Sequence, residues 1–261
     1  LPMKVRPIFF ILFALLASSL LTACSGQGAS WPGLSADEEL AYVSSGPQIF
    51  AVRLSDGKEA WHFPEKTSGK TVFYATPVLT EDGQLLIGSA GSEHTFFYLD
   101  ARSGAQKATF SKAKSPWMGS PLVVGDKVYA PNGDGTLYML DMQGNKLNGF
   151  EAGGPLWSQP VTDGTYIYVG ALNHNLYALN PETLEVAWKV DMGGAVPGSP
   201  ALGPDGILYV GSFASKVVAV DAATGSVLWE APTEGTVWGG PTLTGDKLYA
   251  ADLTGKVYAF D

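Results

Sequence analysis

The side chains with the widest chemical repertoire in this chain are three histidines, one cysteine and a short acidic loop. The histidines, His62, His94 and His174, lie far apart and show no spacing typical of metal ligands. The loop 132–136 (Asn-Gly-Asp-Gly-Thr) offers the oxygen ligands that Ca²⁺ prefers but lacks the later bidentate glutamate of a calcium loop. The sequence contains no nucleophile elbow, phosphate loop or dinucleotide fingerprint. We therefore predict no catalytic residue and no bound metal, and we interpret the loop as a hairpin turn.

A second set of residues suits protein contact rather than catalysis. Bulky residues stand just before regularly spaced prolines: Trp31, Tyr74, Trp117, Trp157 and Trp238, with Pro197 in the remaining place. Aromatic side chains give a large contact area at low entropic cost. Tyr74, Trp117, Trp157 and Trp238 are thus a candidate partner-binding set. The alternative is packing inside the fold, which we favour at this point because large aromatic side chains are usually covered.

The single cysteine, Cys24, follows an export signal. Lys4 and Arg6 precede an apolar run over 8–16, which is too short for the roughly 20 residues of a membrane-spanning helix. Residues 21–24, Leu-Thr-Ala-Cys, resemble the lipobox of bacterial lipoproteins, in which the cysteine is acylated. We predict a signal peptide over 1–23, lipidation at Cys24 and a flexible tether over 24–30. An ordinary signal peptide with an unrelated cysteine is the alternative.

The composition describes a folded, acidic chain. Hydrophobic residues make up 46% and charged residues 16% of the 261 residues, which indicates a large core rather than disorder. The formal net charge is −9, and removal of 1–23 takes away two bases and no acids, which leaves −11. Nucleic acid is therefore excluded as a partner, because phosphate binding needs Lys and Arg to displace counterions.

The elements that carry these residues repeat about every 40 residues, a period typical of propeller blades. The marker prolines are Pro77, Pro121, Pro160, Pro200 and Pro241. Each unit reads as four short strands separated by Gly/Asp turns, so the fold class over 31–261 is an all-β propeller of four-stranded antiparallel blades. Six units are present, and the sixth stops after its third strand. We expect a fragment of a seven- or eight-bladed ring, with a six-bladed ring containing one incomplete blade as the alternative.

The run from Ala219 to Trp229 is similar to the tryptophan-docking motif of the PQQ-like propeller repeats, Ala-x-Asp-x-x-Thr-Gly-x-x-x-Trp. It is the complete copy, and partial copies end at Trp61 and Trp188, whereas Ala108 and Asn148 stand where two other units should have tryptophan. The resemblance implies structural roles for Trp61, Trp188, Trp229, Asp221 and Gly225. Asp221 should accept hydrogen bonds from its turn, and each tryptophan should dock between blades.

The same resemblance suggests two classes of function. One is the BamB-like lipoproteins, non-catalytic scaffolds of outer-membrane β-barrel assembly, which would place this chain on the cell envelope with other envelope proteins as partners. The other is the PQQ-dependent dehydrogenases, which are longer and usually carry a vicinal disulfide that one cysteine cannot form. We favour the scaffold and expect no PQQ binding. A propeller that senses a small ligand in its channel stays open as a further alternative.

Overall fold

The computed structural model describes residues 32–261, and every regular element in that range is a β-strand. Blade 1 contains β1 (Gly33–Ala36), β2 (Leu40–Ser45), β3 (Gln48–Arg53) and β4 (Glu59–Phe63). Blade 2 contains β5 (Val78–Leu79), β6 (Gln84–Gly88), β7 (Phe96–Asp100) and β8 (Gln106–Phe110). Blade 3 contains β9 (Leu122–Val124), β10 (Lys127–Pro131), β11 (Thr136–Asp141) and β12 (Lys146–Glu151).

Blade 4 contains β13 (Val161–Thr162), β14 (Ile167–Gly170), β15 (Asn175–Leu179) and β16 (Val186–Asp191). Blade 5 contains β17 (Ala201–Leu202), β18 (Ile207–Ser212), β19 (Lys216–Asp221) and β20 (Val227–Pro232). Blade 6 contains β21 (Thr242–Thr244), β22 (Lys247–Ala251) and β23 (Val257–Phe260). The predicted all-β fold of six antiparallel blades is confirmed, with four strands in blades 1 to 5 and three in blade 6. No helix long and apolar enough to span a membrane occurs among the described residues.

The third turn of blade 5 shows how the sequence motif builds a blade. Asp221 Oδ1 accepts hydrogen bonds from the backbone N–H and the hydroxyl of Thr224, both at 2.8 Å. Gly225 has a φ of 74°, in the left-handed region that favours glycine. A Cβ on Gly225 would lie 2.7 Å from the ring of Trp188, which belongs to the preceding blade. The motif therefore closes a turn and makes room for a neighbouring tryptophan.

The docking tryptophans join one blade to the next through main-chain carbonyls. Trp61 Nε1 donates to the carbonyl of Ala101 at 3.0 Å, and Trp188 Nε1 donates to the carbonyl of Ala222 at 3.0 Å. Both acceptors follow the aspartate of the next blade's third turn. A buried indole N–H needs such a partner, since an unpaired buried donor is costly.

Blades 2 and 3 lack the tryptophan but keep the hydrogen bond. In blade 2, Tyr98 on the third strand donates its hydroxyl to the carbonyl of Asp141 at 3.0 Å, beside the small Ala108. In blade 3, Tyr129 donates to the carbonyl of Pro181 at 2.7 Å, and the Asn148 amide donates to the carbonyl of Thr183 at 2.8 Å. A tyrosine hydroxyl thus reaches the next blade without a docking tryptophan in blades 2 and 3, whereas in blade 4 Tyr168 donates to the carbonyl of Ala222 at 3.0 Å beside Trp188.

The hydrophobic core of residues 32–261 is divided into five clusters, and each lies between two successive blades. The middle strands of the inner blades are buried on both faces, and every residue of β6 is buried. By contrast, β2 and β22 alternate between buried and more exposed residues. Leu34 on blade 1 and Val257 on blade 6 are 63% and 72% exposed. Among residues 32–261, blades 1 and 6 are therefore each covered by a neighbouring blade on one face.

Candidate partner-binding surface

Because the strands of each blade alternate in direction, the turns gather at two opposite ends of the blades. The first and third turns of every blade lie at one end, which we term the turn end. The second turn of every blade and the connectors to the next blade lie at the other, which we term the connector end. The predicted partner-binding residues all belong to connectors.

Repeated backbone hydrogen bonds fix the register of each connector. The N–H of Trp117 donates to the carbonyl of Ser89 in blade 2 at 3.2 Å, and the carbonyl of Pro116 accepts from Gly133 in blade 3 at 3.0 Å. In the other connectors the equivalent position is occupied by Phe73, Leu156, Val196 and Val237. The N–H of each of these residues donates in the same way to a carbonyl of the preceding blade. All five side chains have no exposed surface. This connector position therefore packs into the fold.

Trp117 therefore does not belong to the partner-binding set, contrary to the prediction. It stands four residues before its proline, whereas Tyr74, Trp157 and Trp238 stand three residues before theirs. One residue along an extended chain turns a side chain to the opposite side. The ring of Trp117 packs against Phe96 and Tyr138, and its Nε1 donates to the carbonyl of His94 at 3.1 Å. Trp117 is a core residue, and the position equivalent to the other three is Met118.

The structure brings two of the predicted residues together. The rings of Trp157 and Trp238 lie 6.1 Å apart, and Phe213 lies 5.4 Å from Trp238. Trp238 is 38% exposed, and Trp157 and Phe213 are half-buried. We term Trp157, Phe213 and Trp238 the aromatic patch. It joins the connectors leading into blades 4 and 6 with the second turn of blade 5.

The backbone beneath the aromatic patch is held by close contacts between the connectors. The N–H of Gln159 donates to Ser199 Oγ at 2.9 Å, and its side-chain amide donates to the carbonyl of Pro121 at 3.0 Å. A Cβ on Gly198 would lie 2.4 Å from the backbone nitrogen of Gly240, so this approach requires glycine. Trp157 and Trp238 each lie two residues from one of these contacts.

Tyr74 lies half-buried on the connector between blades 1 and 2. Phe213 was not predicted, although a large aromatic residue in a second turn that elsewhere carries Asn132-Gly133 was a usable signal. Cys24, Trp31, the signal peptide and the tether lie outside the described residues.

The histidines do not form a site. His62 Nδ1 lies 2.7 Å from Glu59 Oε1, and this hydrogen bond raises the pKa of His62. His94 is half-buried in the second turn of blade 2, and His174 is exposed in that of blade 4. Within residues 32–261, no group of three or more His, Cys, Asp or Glu side chains is placed to hold a metal ion.

The acidic loop is the second turn of blade 3, as predicted. Asn132 Oδ1 accepts the N–H of Asp134 at 2.9 Å, and the Asn132 amide donates to the carbonyl of Ser115 at 2.8 Å. Asp134 Oδ1 in turn accepts the N–H of Thr136 at 2.9 Å. The oxygens of the loop thus serve the protein's own donors.

The acidic charge is concentrated at the turn end. When the charged residues of the described part of the chain are assigned to the nearer end of their strand, seventeen carboxylates and seven Lys or Arg side chains lie at the turn end. Eight carboxylates and seven bases lie at the connector end, which carries the aromatic patch. The turn end repels acidic surfaces within about a Debye length, roughly 8–10 Å. The connector end is nearly neutral.

Docking tryptophans, Asp/Gly turns and consecutive four-stranded sheets define a β-propeller of the PQQ-like repeat class. The family model described as outer membrane protein assembly factor BamB matches residues 18–149 and 173–261. The chain belongs to this family. No curated protein matches the sequence significantly.

Among solved structures, the crystal structure of BamB from Moraxella catarrhalis superposes with a TM-score of 0.73. The two sequences are 20% identical, and the similarity covers 87% of this chain and 68% of that one. At this identity the likeness establishes a shared propeller fold.

Proposed function

We propose that this protein is a non-catalytic, lipid-anchored scaffold of the cell envelope, which takes part in the assembly of outer-membrane β-barrel proteins. Membership of the BamB family supports the proposed location in the cell envelope and the proposed link to outer-membrane assembly. The observation that carries the scaffold role is the aromatic patch at the nearly neutral end of the blades. Its partner is a protein of the envelope or of the assembly machinery.

The aromatic patch has the physical features of a protein-binding anchor. Trp157, Phe213 and Trp238 come from three different blade segments, so their spacing is set by the whole fold rather than by one flexible loop. Contacts at Gln159 and Gly198 hold the neighbouring backbone. Tryptophan rings on a rigid support lose little entropy on binding, and such residues dominate interface energies.

The test of this role is photocrosslinking in intact cells from Ala214, which is exposed beside Phe213. A photoreactive amino acid at this position is expected to yield a protein adduct of defined mass. The matched control is Asp205, which is exposed on the same blade at the turn end. It should yield little or none of that adduct. Equal yields from both positions would contradict a role specific to the aromatic patch.

Lipidation at Cys24 is the basis proposed for membrane attachment. Metabolic labelling with a clickable palmitate analogue is expected to mark the wild-type protein and to leave Cys24→Ala unlabelled, because the thiol is the acylated group. The variant should also move from the membrane fraction to the soluble fraction after export. Labelling of both proteins to the same extent would rule out this anchor.

The runner-up function is that of a PQQ-dependent dehydrogenase, which carries the same class of repeat. The purified protein, incubated with PQQ and Ca²⁺, is expected to show no alcohol or sugar oxidation with a dye acceptor. Sustained turnover that depends on both additions would replace the scaffold with the enzyme.

A further inference from the structure

A groove runs between blades 2 and 3, outside the aromatic patch. Its larger hollow, of about 500 Å³, is lined by Phe110, Lys112, Lys114, Asp134, Tyr138 and Lys146. A second hollow of about 390 Å³ shares Phe110, Lys112 and Lys146 and reaches Gly144 and Asn145 at the turn end. The two hollows meet at Phe110, the last residue of β8. We term this feature the lysine groove.

The groove exists where the docking motif is broken. The small residue Ala108 stands in the outer strand of blade 2, where blades 1 and 4 have a tryptophan that docks on the next blade. Gly149 adds no side chain, and a Cβ there would lie 3.1 Å from Lys146 Nζ. Lys146 therefore lies across the hairpin, with Nζ 5.0 Å from the centre of the Tyr138 ring. The result is a cleft with an aromatic floor and a cation at its wall.

The lysines of the groove are free to bind an anion. Among residues 32–261, the lysines outside any ion pair are Lys66, Lys112, Lys114, Lys146 and Lys189. Three of these five line the lysine groove, in a chain whose net charge is −9. Unpaired bases are thus concentrated in one cleft of an acidic protein, which points to an external anion as their partner.

The carboxylates of the groove do not cancel this charge. Asp134 accepts hydrogen bonds from the Tyr138 hydroxyl at 2.7 Å and from the backbone N–H of Lys114 at 3.1 Å. Burial raises the pKa of Asp134, but these hydrogen bonds and that of Thr136 outweigh it and lower the pKa. Asp134 is therefore a charged anchor for the connector, whereas Glu151 is exposed at the rim. Three lysines against two carboxylates leave the groove positive.

We propose that the lysine groove binds an acidic, extended segment of a partner polypeptide. Its carboxylates would meet Lys112, Lys114 and Lys146, and its apolar side chains would pack against Phe110 and Tyr138, whose rings lie 5.1 Å apart. β8, which borders the groove at Thr109 and Phe110, is the outermost strand of its sheet and can lie beside an extended chain. The choice of a polypeptide rests on the proposed scaffold function, whereas the anion site rests on the groove.

The test uses the purified full chain and a fluorescein-labelled peptide with the repeat Asp-Phe-Ser. Binding of the peptide is measured by fluorescence anisotropy at low ionic strength. Lys112→Glu/Lys114→Glu is expected to weaken binding at least about tenfold, since two of the three charges that attract the peptide are reversed. Lys66→Glu/Lys189→Glu changes the net charge equally, at two unpaired lysines outside the groove, and should weaken binding less than about threefold.

Four results would overturn the proposal. They are equal weakening in the two double variants, equal binding of an Asn-Phe-Ser peptide, displacement of the acidic peptide by inorganic phosphate at equal concentration, and no binding of the acidic peptide. Because Lys112 and Lys114 are exposed, both double variants should melt at the wild-type temperature. This assay reads the lysine groove alone, so its failure leaves the crosslink from Ala214 intact and the two proposals can fail separately.

Discussion

Replacing Trp117 with alanine is expected to lower the free energy of unfolding by about 3–5 kcal/mol. The side chain has no exposed surface and contacts Phe96, Phe110 and Tyr138 between blades 2 and 3. Its removal leaves a cavity in a close-packed interface and an unpaired carbonyl at His94. Chemical denaturation followed by circular dichroism measures the change.

Trp157→Ala is the matched control for Trp117→Ala. Trp157 is half-buried at the surface, and its replacement should cost at most about 1 kcal/mol. The two tryptophans looked equivalent in the sequence, so a clear difference in unfolding free energy tests the assignment of one to the core and the other to the aromatic patch. Similar losses for the two variants would contradict that assignment.

Trp61→Ala is also expected to cost about 3–5 kcal/mol, because it removes the docking contact between blades 1 and 2. Trp61 is 9% exposed, packs against Tyr42 and donates to the carbonyl of Ala101. Trp61→Phe keeps most of the ring and removes the N–H, and should cost about 1–2 kcal/mol. Thermal and chemical denaturation of the two variants separate the ring from the hydrogen bond.

Trp229→Ala provides the comparison for Trp61→Ala. Trp229 ends the complete docking motif, yet it is half-buried and packs between the tilted rings of Tyr209 and Phe260. Among the described residues, the hydrogen bonds that Trp61 and Trp188 donate to a carbonyl of the next blade have no counterpart at Trp229. We expect Trp229→Ala to lower the free energy of unfolding by at least about 1 kcal/mol less than Trp61→Ala does. A larger loss at Trp229 would show that the motif, rather than the observed contacts, determines docking strength.

The blades were predictable because their signals are local. Prolines at a fixed interval, Asp/Gly turns and alternating apolar residues each report on a few neighbouring positions, and the third turn around Asp221 and Gly225 forms as its residue types indicate. The docking contact in blades 2 and 3 was not predictable in the same way. In blade 2, where Ala108 stands in place of the tryptophan, Tyr98 on a different strand reaches the next blade, and this contact is visible only in three dimensions.

About half of the candidate site could be predicted from the sequence. Spacing from the prolines found Trp157 and Trp238, whose rings meet, but it misplaced Trp117 because a one-residue shift in a connector reverses the side chain. Phe213 belongs to a different class of turn, so a search restricted to connectors missed it. The concentration of carboxylates at the turn end follows from strand direction and needs the topology.

The central claim, that the aromatic patch holds a protein partner, is tested most directly by the crosslink from Ala214 in a Trp157→Ala/Trp238→Ala background. The adduct is expected to fall at least about tenfold, because two anchor rings are lost, while the melting temperature stays within a few degrees of wild type. Trp157→Phe/Trp238→Phe should retain much of the adduct. An undiminished adduct in the double alanine variant, with the protein folded, would contradict the account.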